Sequence, residues 1–324
     1  MSGKEKLEAQ LAALEDLRQQ SCEAAIAPLR SALKQRNNYL VAKAAAIVAE
    51  RRMTELMPEL VAAFDRFLED AEKRDPQCWA KNALSQALAT LESQDPEPFL
   101  RGIRHVQLEA VWGGRSDTAG ALRGICALAL VQCRTVPEVD LLRYLLDLLC
   151  DKEKTARSDA IRALAQTGSF HASSLLRLRA LMGGDEAEIL GACYLAVLQI
   201  EGPRALSWVS RFLETEDDAA GEAALAMAST HTFEAFSLLK ERWDRTRDPW
   251  FRSVLLSAMA LTRQSSATEF LLDLVKGDSM QSEQAVEALL RALPADSVLL
   301  RLRKLVAGNP RLERVFVENS NFVK

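Results

Sequence analysis

Apolar residues recur at helical spacing along nearly the whole chain, and a small-residue core repeats within this pattern. The core, roughly Ala-apolar-x-Ala-apolar, occurs at residues 160–164, 193–197, 223–227, 255–259 and 285–289. The first residues of successive copies lie 33, 30, 32 and 30 positions apart. A fixed period in this range is typical of stacked supersecondary units. Valine, isoleucine and threonine do not alternate with polar residues over any long stretch, so we expect an all-α protein without strands.

Turn and cap residues divide this pattern into helical hairpins. Asp-Pro at 75–76, 95–96 and 248–249 and Asn-Pro at 309–310 are typical of helix starts, because an Asx side chain can accept the first free N–H groups. Glycines at 168, 202 and 277 follow helical segments, where a left-handed cap is favoured. The predicted helix pairs are 24–34 with 38–51, 56–71 with 76–91, 97–109 with 118–132, 137–149 with 153–167, 171–182 with 186–200, 203–213 with 217–229, 233–245 with 249–262, and 266–276 with 279–292.

We predict one repeat domain over residues 1–310. A polar first helix at about 5–19, within residues 1–20, would cap its N-terminal end, and a helix within 296–310 would cap its C-terminal end, because stacked repeats need their end faces shielded. The remaining residues, 311–324, have mixed character and are expected to form a short irregular tail.

Two features recur with the small-residue core. An aspartate lies near the start of each later second helix, and an apolar-Arg pair precedes the core, most clearly as Ala156-Arg157 and Phe251-Arg252. The aspartates are Asp151, Asp185, Asp217, Asp248 and Asp278. The pattern resembles the HEAT and HEAT-like (bilin-lyase-type) repeat family over 137–293, and more loosely over 23–133. The resemblance implies a right-handed α-α superhelix, a solenoid of about eight helical hairpins whose second helices line the concave face. It implies no particular activity, because the family is defined by packing.

Composition narrows the class of partner. The chain of 324 residues has 41 basic and 45 acidic side chains and a net charge of −4, evenly mixed between its two halves. This balance argues against a dedicated nucleic-acid or anionic-membrane binder. No apolar run approaches the roughly 18 residues of a membrane span. Six cysteines without a Cys-x-x-Cys pair are typical of reduced thiols, so we expect a cytoplasmic protein.

Basic residues occupy similar positions in successive second helices, and they admit two interpretations. They are Lys43, Lys81, Arg123 and Arg157, with Arg252 recurring later. On a concave face they could bind an acidic partner or a phosphate backbone. Alternatively, each pairs with a repeat aspartate of its own or the next unit and is structural.

The longest irregular connection with an aromatic residue is the second candidate site. It runs Trp112, Gly113, Gly114, Arg115, Ser116, Asp117. Backbone N–H groups around Gly-Gly can form an anion nest that Arg115 would complete, and loops on rigid scaffolds often carry binding residues. The alternative is an enlarged helix–helix loop, in which Trp112 covers the end of the core and Asp117 caps helix 118–132.

Catalytic and metal motifs have little support. The three histidines, at 105, 171 and 231, form no His-Glu or His-x-x-x-His pair, and no phosphate-binding or nucleophile-elbow motif occurs. Trp243 near Asp244 and Trp250 near Asp248 invite comparison with HEAT-like alkylpurine DNA glycosylases, which need a basic DNA-facing surface.

We therefore expect a non-catalytic scaffold, monomeric by itself, that binds another protein along its concave face without metal or cofactor. The alternatives are a nucleic-acid-binding or DNA-glycosylase-like HEAT protein, and an accessory factor resembling bilin-lyase subunits.

Overall fold

The computed structural model describes residues 3–277 and 279–320, whose regular secondary structure is helical apart from one small sheet. The all-α prediction is therefore confirmed in its main part. The chain forms two compact units, Met1–Thr167 (unit 1) and Gly168–Lys324 (unit 2).

Unit 1 is a succession of short helices interrupted by one β-hairpin. Its elements are α1 (Gly3–Asp16), α2 (Cys22–Leu33), α3 (Asn38–Glu50), α4 (Met57–Leu68), α5 (Ala71–Arg74), α6 (Trp79–Thr90), α7 (Glu97–Gly102), β1 (Leu108–Val111), β2 (Gly114–Asp117), α8 (Gly120–Gln132), α9 (Glu138–Leu149) and α10 (Lys154–Thr167). The second helices of the hairpins form one layer, in which α3 packs on α6, α6 on α8 and α8 on α10. Alanines fill the contacts between these helices, as at Ala44, Ala87 and Ala127, and let the backbones approach closely.

Unit 2 repeats the same scheme. Its helices are α11 (Phe170–Met182), α12 (Ala187–Glu201), α13 (Leu206–Val209), α14 (Asp218–Ala228), α15 (Phe233–Arg245), α16 (Pro249–Leu261), α17 (Ser265–Val275), α18 (Met280–Arg291), α19 (Asp296–Val306) and α20 (Pro310–Ser320). Here α12 packs on α14, α14 on α16, α16 on α18 and α18 on α20. In both units each second helix thus contacts the second helix before it and the second helix after it in sequence, as in stacked repeats.

The helix α16 shows how the sequence produces these elements. The Asp248 side chain accepts a hydrogen bond from the N–H of Phe251 (2.7 Å), and Pro249 lies in the first turn, where no donor is needed. Phe251, Leu255 and Met259 follow at helical spacing and are fully buried. Asp217 caps α14 in the same way through the N–H of Ala220. Asp278 lies outside the described residues.

Most predicted helices are present with bounds within about three residues, but four predictions were wrong. The predicted helix 203–213 is α-helical only over Leu206–Val209, between 3-10 helices at Gly202–Ala205 and Ser210–Thr215. Helix 97–109 ends at Gly102, and residues 108–117 form a two-stranded antiparallel sheet although no strand was expected. Each strand has only four residues, too few for an alternating pattern to stand out. The prediction of an irregular tail over residues 311–324 is also wrong for the residues that the structure describes, 311–320. The Asn309 side chain accepts from the N–H of Arg311, and residues 310–320 form α20, which packs on α18.

Several turns that follow second helices contain a left-handed residue that is not glycine. They occur at Arg52, Glu92, His231, Arg263 and Leu293, each with φ between 51° and 56°. Gly168 and Gly202 adopt left-handed conformations as expected, with φ of 63° and 68°, whereas Gly277 does not. Glycine therefore marks only part of the helix ends in this fold.

Candidate functional site

The irregular connection identified from the sequence is a β-hairpin with an exposed apolar tip. Leu108 pairs with Asp117 and Val111 with Gly114, so Trp112 and Gly113 form the turn. Gly113 has φ of 91°, a conformation that side chains disfavour. Trp112 has a relative exposure of 104%, and Leu108 and Val111 are also exposed. The expectation that Trp112 covers the end of the core is therefore wrong.

Asp117 closes the base of the hairpin and lies three residues before the first residue of α8. Its Oδ1 accepts from the N–H of Gln107 (3.1 Å) and from the N–H of Ala119 (3.0 Å), just before α8. The N–H of Thr118 donates to the carbonyl of Gln107 (2.9 Å). Burial raises the pKa of Asp117, but these N–H donors and Arg123 outweigh burial and hold the pKa below its usual range. Asp117 does not cap α8 as the alternative predicted, because no side chain accepts from the first amides of that helix; its carboxylate instead holds the turn that precedes α8.

Gln107 and Glu109 connect the hairpin to the preceding repeat. The Gln107 amide donates to the carbonyl of Asp75 (2.9 Å) and to Glu109 Oε1 (2.5 Å). Glu109 Oε1 also accepts from the N–H of Gln77 (2.6 Å) and the hydroxyl of Thr118 (2.9 Å). Burial raises the pKa of Glu109, yet these donors together lower it. The first strand is therefore held by charge-assisted hydrogen bonds as well as by its partner strand.

A fully buried ion pair lies beneath these contacts. Lys81 and Asp75 each have 0% exposure, and Lys81 Nζ lies 3.1 Å from Asp75 Oδ2. Asp75 also accepts from Asn38 Nδ2 (2.9 Å) and from the backbone N–H groups of Ala80 (2.8 Å) and Lys81 (3.0 Å). The pair is thus completed by hydrogen bonds, which a buried charge requires.

Arg123 joins the hairpin base to the following repeat. One guanidinium nitrogen lies 2.8 Å from Asp117 Oδ2, and two others donate to Asp151 at 2.7 and 2.9 Å. Burial alone lowers the pKa of Arg123, but the hydrogen bonds and charges of Asp151 and Asp117 raise it. Arg123 is nearly fully buried, so its charge is balanced inside the protein.

Arg115, on the second strand, links the hairpin to α5. It donates to Glu72 Oε1 (2.7 Å) and to the carbonyl of Leu108 across the hairpin. Both charged side chains remain more than half exposed. This arrangement differs from the expected anion nest, because Arg115 already has a carboxylate partner.

The other basic residues of the sequence pattern take part in separate contacts. Lys43 lies over the ring of Tyr39 at 5.5 Å. Arg157 donates to the carbonyls of Asp151 (3.1 Å) and Lys152 (2.9 Å). Arg252, in unit 2, donates to the carbonyls of Trp243 (3.1 Å) and Thr246 (2.8 Å) and stacks on Trp243. The structure therefore brings Lys81, Arg123 and Asp117 together at the hairpin base. The predicted pairing with an aspartate is seen for Lys81 with Asp75 and for Arg123 with Asp151. Arg157 and Arg252 instead donate to backbone carbonyls.

Three members of this network had little signal in the sequence. Asp75 stood out only as part of an Asp-Pro helix start, and Gln107 and Glu109 had no motif. Partners of Gln107 and Glu109 lie 32 residues away in sequence. This is close to the 30–33-residue period of the later small-residue cores, so a search for polar residues at that spacing could have found them.

The titratable side chains next to Gln107 have a structural role. Burial raises the pKa of the Cys78 thiol to about 11, so at neutral pH it is a weak donor, here to Gln107 Oε1 at 3.4 Å. Burial also lowers the pKa of His105, whose ring nitrogen lies 3.1 Å from the same oxygen. Across residues 3–277 and 279–320 no three His, Cys, Asp or Glu side chains are grouped as metal ligands. Every helix described is too short or too polar to cross a lipid bilayer.

Comparison of the chain with protein-family models and with curated proteins gives no match, so the HEAT-like resemblance stays a prediction.

Proposed function

We propose that this protein is a non-catalytic adaptor that binds another protein through the hairpin of residues 108–117. In this proposal its helical hairpins form a HEAT-like solenoid, wound as a right-handed superhelix, and the second helices add specificity. The observation that carries the proposal is Trp112, a fully exposed indole at the tip of a well-supported hairpin. The cytoplasmic location and the monomeric state remain predictions.

An exposed tryptophan on a rigid element is suited to binding. Trp and Arg are enriched among the residues that dominate interface energies. The buried network of Asp75, Lys81, Gln107 and Arg123 holds the hairpin base, so little conformational entropy is lost when its tip binds. Leu108 and Val111 extend the apolar surface beside Trp112, and Arg115 adds a polar rim.

Local charge favours a protein partner over nucleic acid. Three cations of the hairpin and its base have carboxylate partners, Lys81 in Asp75, Arg123 in Asp117 and Asp151, and Arg115 in Glu72. Binding to a phosphate backbone instead needs cations that are free to replace counterions.

The test is capture of partners from lysate by the tagged protein, with and without nuclease, comparing the wild type with Trp112→Ala and Arg115→Glu. We expect a stoichiometric protein that survives nuclease. Trp112→Ala should weaken its binding by roughly 30-fold or more, since loss of an interface anchor costs about 2 kcal/mol or more. Arg115→Glu should weaken binding with helicity and Tm unchanged, because exposed ion pairs contribute little to stability.

The control is Phe170→Ala, which removes an exposed aromatic side chain from unit 2. It should leave capture unchanged. Equal capture by the wild type and Trp112→Ala would refute the hairpin as the docking element. Recovery that vanishes with nuclease would favour the nucleic-acid alternative.

A further inference from the structure

Two adjoining cavities in unit 2 form a groove across α12 and α14. The first, of about 460 Å³, is lined by Glu188, Asp218, Glu222, Trp250 and Val254 among others. The second, of about 560 Å³, includes Tyr194, Phe212 and the backbone of Gly183 and Gly184. Ala187 and Asp218 line both cavities, so we treat them together as the acidic groove.

Two carboxylates of the groove lack a positive partner. Asp218 and Glu222 lie one turn apart on α14, and within residues 3–277 and 279–320 neither accepts a hydrogen bond or forms an ion pair. Burial raises the pKa of Glu222, and the negative charges of Glu188 and Asp218 raise it further. Like charges at this spacing destabilise a helix, so a bound cation would be favoured.

Carboxylates nearby in the same unit behave differently. Glu201 binds Arg177 through two hydrogen bonds of 2.8 and 2.6 Å, and Asp185 binds Arg179 through two of 2.6 and 2.7 Å. Glu201 and Asp185 in unit 2 thus pair with arginine. The part-buried Glu222 and the exposed Asp218 do not.

Two aromatic residues add observations that are independent of charge. Tyr194 is 1% exposed, yet its hydroxyl has no hydrogen-bond partner among the described residues, and the residue lines the second cavity. Burial raises the pKa of this phenol, so it remains a donor. Trp250 is 46% exposed and lines the first cavity beside Glu222. An indole face attracts cations within about 6 Å.

Gly221 keeps the floor of the groove open. A Cβ at this position would lie 3.6 Å from Val254 Cγ1 and 3.7 Å from Trp250 Cη2, which is ordinary contact. The glycine is therefore not required by packing, although glycine in a helix interior costs about 1 kcal/mol relative to alanine. Its effect is to leave space beside the indole.

We propose that the acidic groove binds a lysine or arginine side chain from a basic segment of the partner protein. The cation would lie against Trp250 and receive charge-assisted hydrogen bonds from Asp218 and Glu222. The Tyr194 hydroxyl would donate to a backbone carbonyl of the same segment. This inference rests on the proposed adaptor function, since it specifies the chemistry of that partner.

The test is a titration of the ¹⁵N-labelled full chain, observed through its five indole N–H signals, with Trp250→Phe used to assign the relevant signal. The probes are N-acetyl-lysine amide and N-acetyl-arginine amide. Their uncharged counterparts are N-acetyl-norleucine amide and N-acetyl-citrulline amide. We expect saturable shifts of the Trp250 signal with the charged probes, with Kd on the order of 1 mM. The uncharged probes should give shifts at least tenfold weaker.

Variants locate the binding site. Glu222→Gln and Asp218→Asn should each weaken binding several-fold, and Gly221→Ala should weaken it while the protein stays folded, because the new methyl occupies the floor without a clash. The exposed residue Glu234 on α15 provides a charge-matched control, and Glu234→Gln should bind as the wild type does. Equal shifts with norleucine and lysine amides would overturn the inference. Tighter, saturable binding of calcium chloride at the same signal would overturn it in favour of a metal ion.

The outcomes separate the two proposals. If cation binding fails while Trp112→Ala still loses its partner, the groove inference falls and the adaptor function stands. If the charged amides bind while Trp112→Ala retains its partner, the hairpin is not the docking element and the groove remains a binding site.

Discussion

Replacing Lys81 by methionine would remove the only positive charge from the buried ion pair of unit 1 while keeping a side chain of similar length. Lys81 Nζ lies 3.1 Å from Asp75 Oδ2 and donates to the carbonyl of Phe67 at 3.3 Å, with both charged residues fully buried. Removing one partner of such a pair costs about 3–5 kcal/mol, because the other charge stays buried without compensation.

The structure places the expected loss for Lys81→Met at about 3 kcal/mol, the lower end of this range. Asp75 would keep three hydrogen bonds, from Asn38 and from the N–H groups of Ala80 and Lys81, and these stabilise its carboxylate. Asp75→Asn combined with Lys81→Met should cost less than the sum of the two single changes, since no lone charge then remains.

The assay is urea unfolding followed by far-UV circular dichroism, with the slope against urea compared among variants. Lys73→Met is the matched control. Lys73 is 83% exposed and pairs with Asp70 at 3.7 Å, so its loss should cost at most about 1 kcal/mol. If Lys81→Met cost no more than Lys73→Met, the buried pair would not be a determinant of stability, and our account of the hairpin support would be wrong.

Two further predictions concern packing and pH. Gly102→Ala should lower Tm, although alanine normally favours a helix, because the new Cβ would overlap with Cys126 Sγ; overpacking of this kind costs typically 1–3 kcal/mol. A Tm at or above that of the wild type would contradict this. The hydrogen bonds from Arg177 lower the pKa of Glu201 below its ordinary 4.5, so the stability they add is complete above that pH and is lost as pH falls through the folded value. Glu201→Gln should therefore show a shallower loss of unfolding free energy on acidification, and equal slopes would rule the contribution out.

The sequence predicts the helices well because each one combines several local signals. In α16, an Asx cap, a proline and buried residues at helical spacing all mark the same helix. In the layer of second helices, small residues at a fixed period also indicate which helices pack together. The end of the chain shows the limit of this reasoning. Asn309-Pro310 is a start signal, but the tail was assigned by its mixed composition, and the burial of Leu312 became evident only from the structure.

The hairpin could not be predicted because its stabilising contacts are not local. Its strands are four residues long, and Gln107 and Glu109 bond to residues about 30 positions away.

For the basic residues, the sequence offered two interpretations, and the distinction depends on where each side chain points. Arg123 reaches Asp151, 28 residues later in the chain, which spacing alone allowed but did not require. The acidic groove was missed since its members come from three helices and share no motif.

The hydrogen bond between the N–H of Thr118 and the carbonyl of Gln107 has an evolutionary consequence. The two ends of the hairpin are adjacent between α7 and α8, so residues 108–117 leave the helical layers and return to them at one point. Segments whose ends are already close tolerate exchange and insertion well, because closing them costs little entropy. Descendants of this chain could thus acquire a new recognition loop at that point while the flanking repeats remain unchanged.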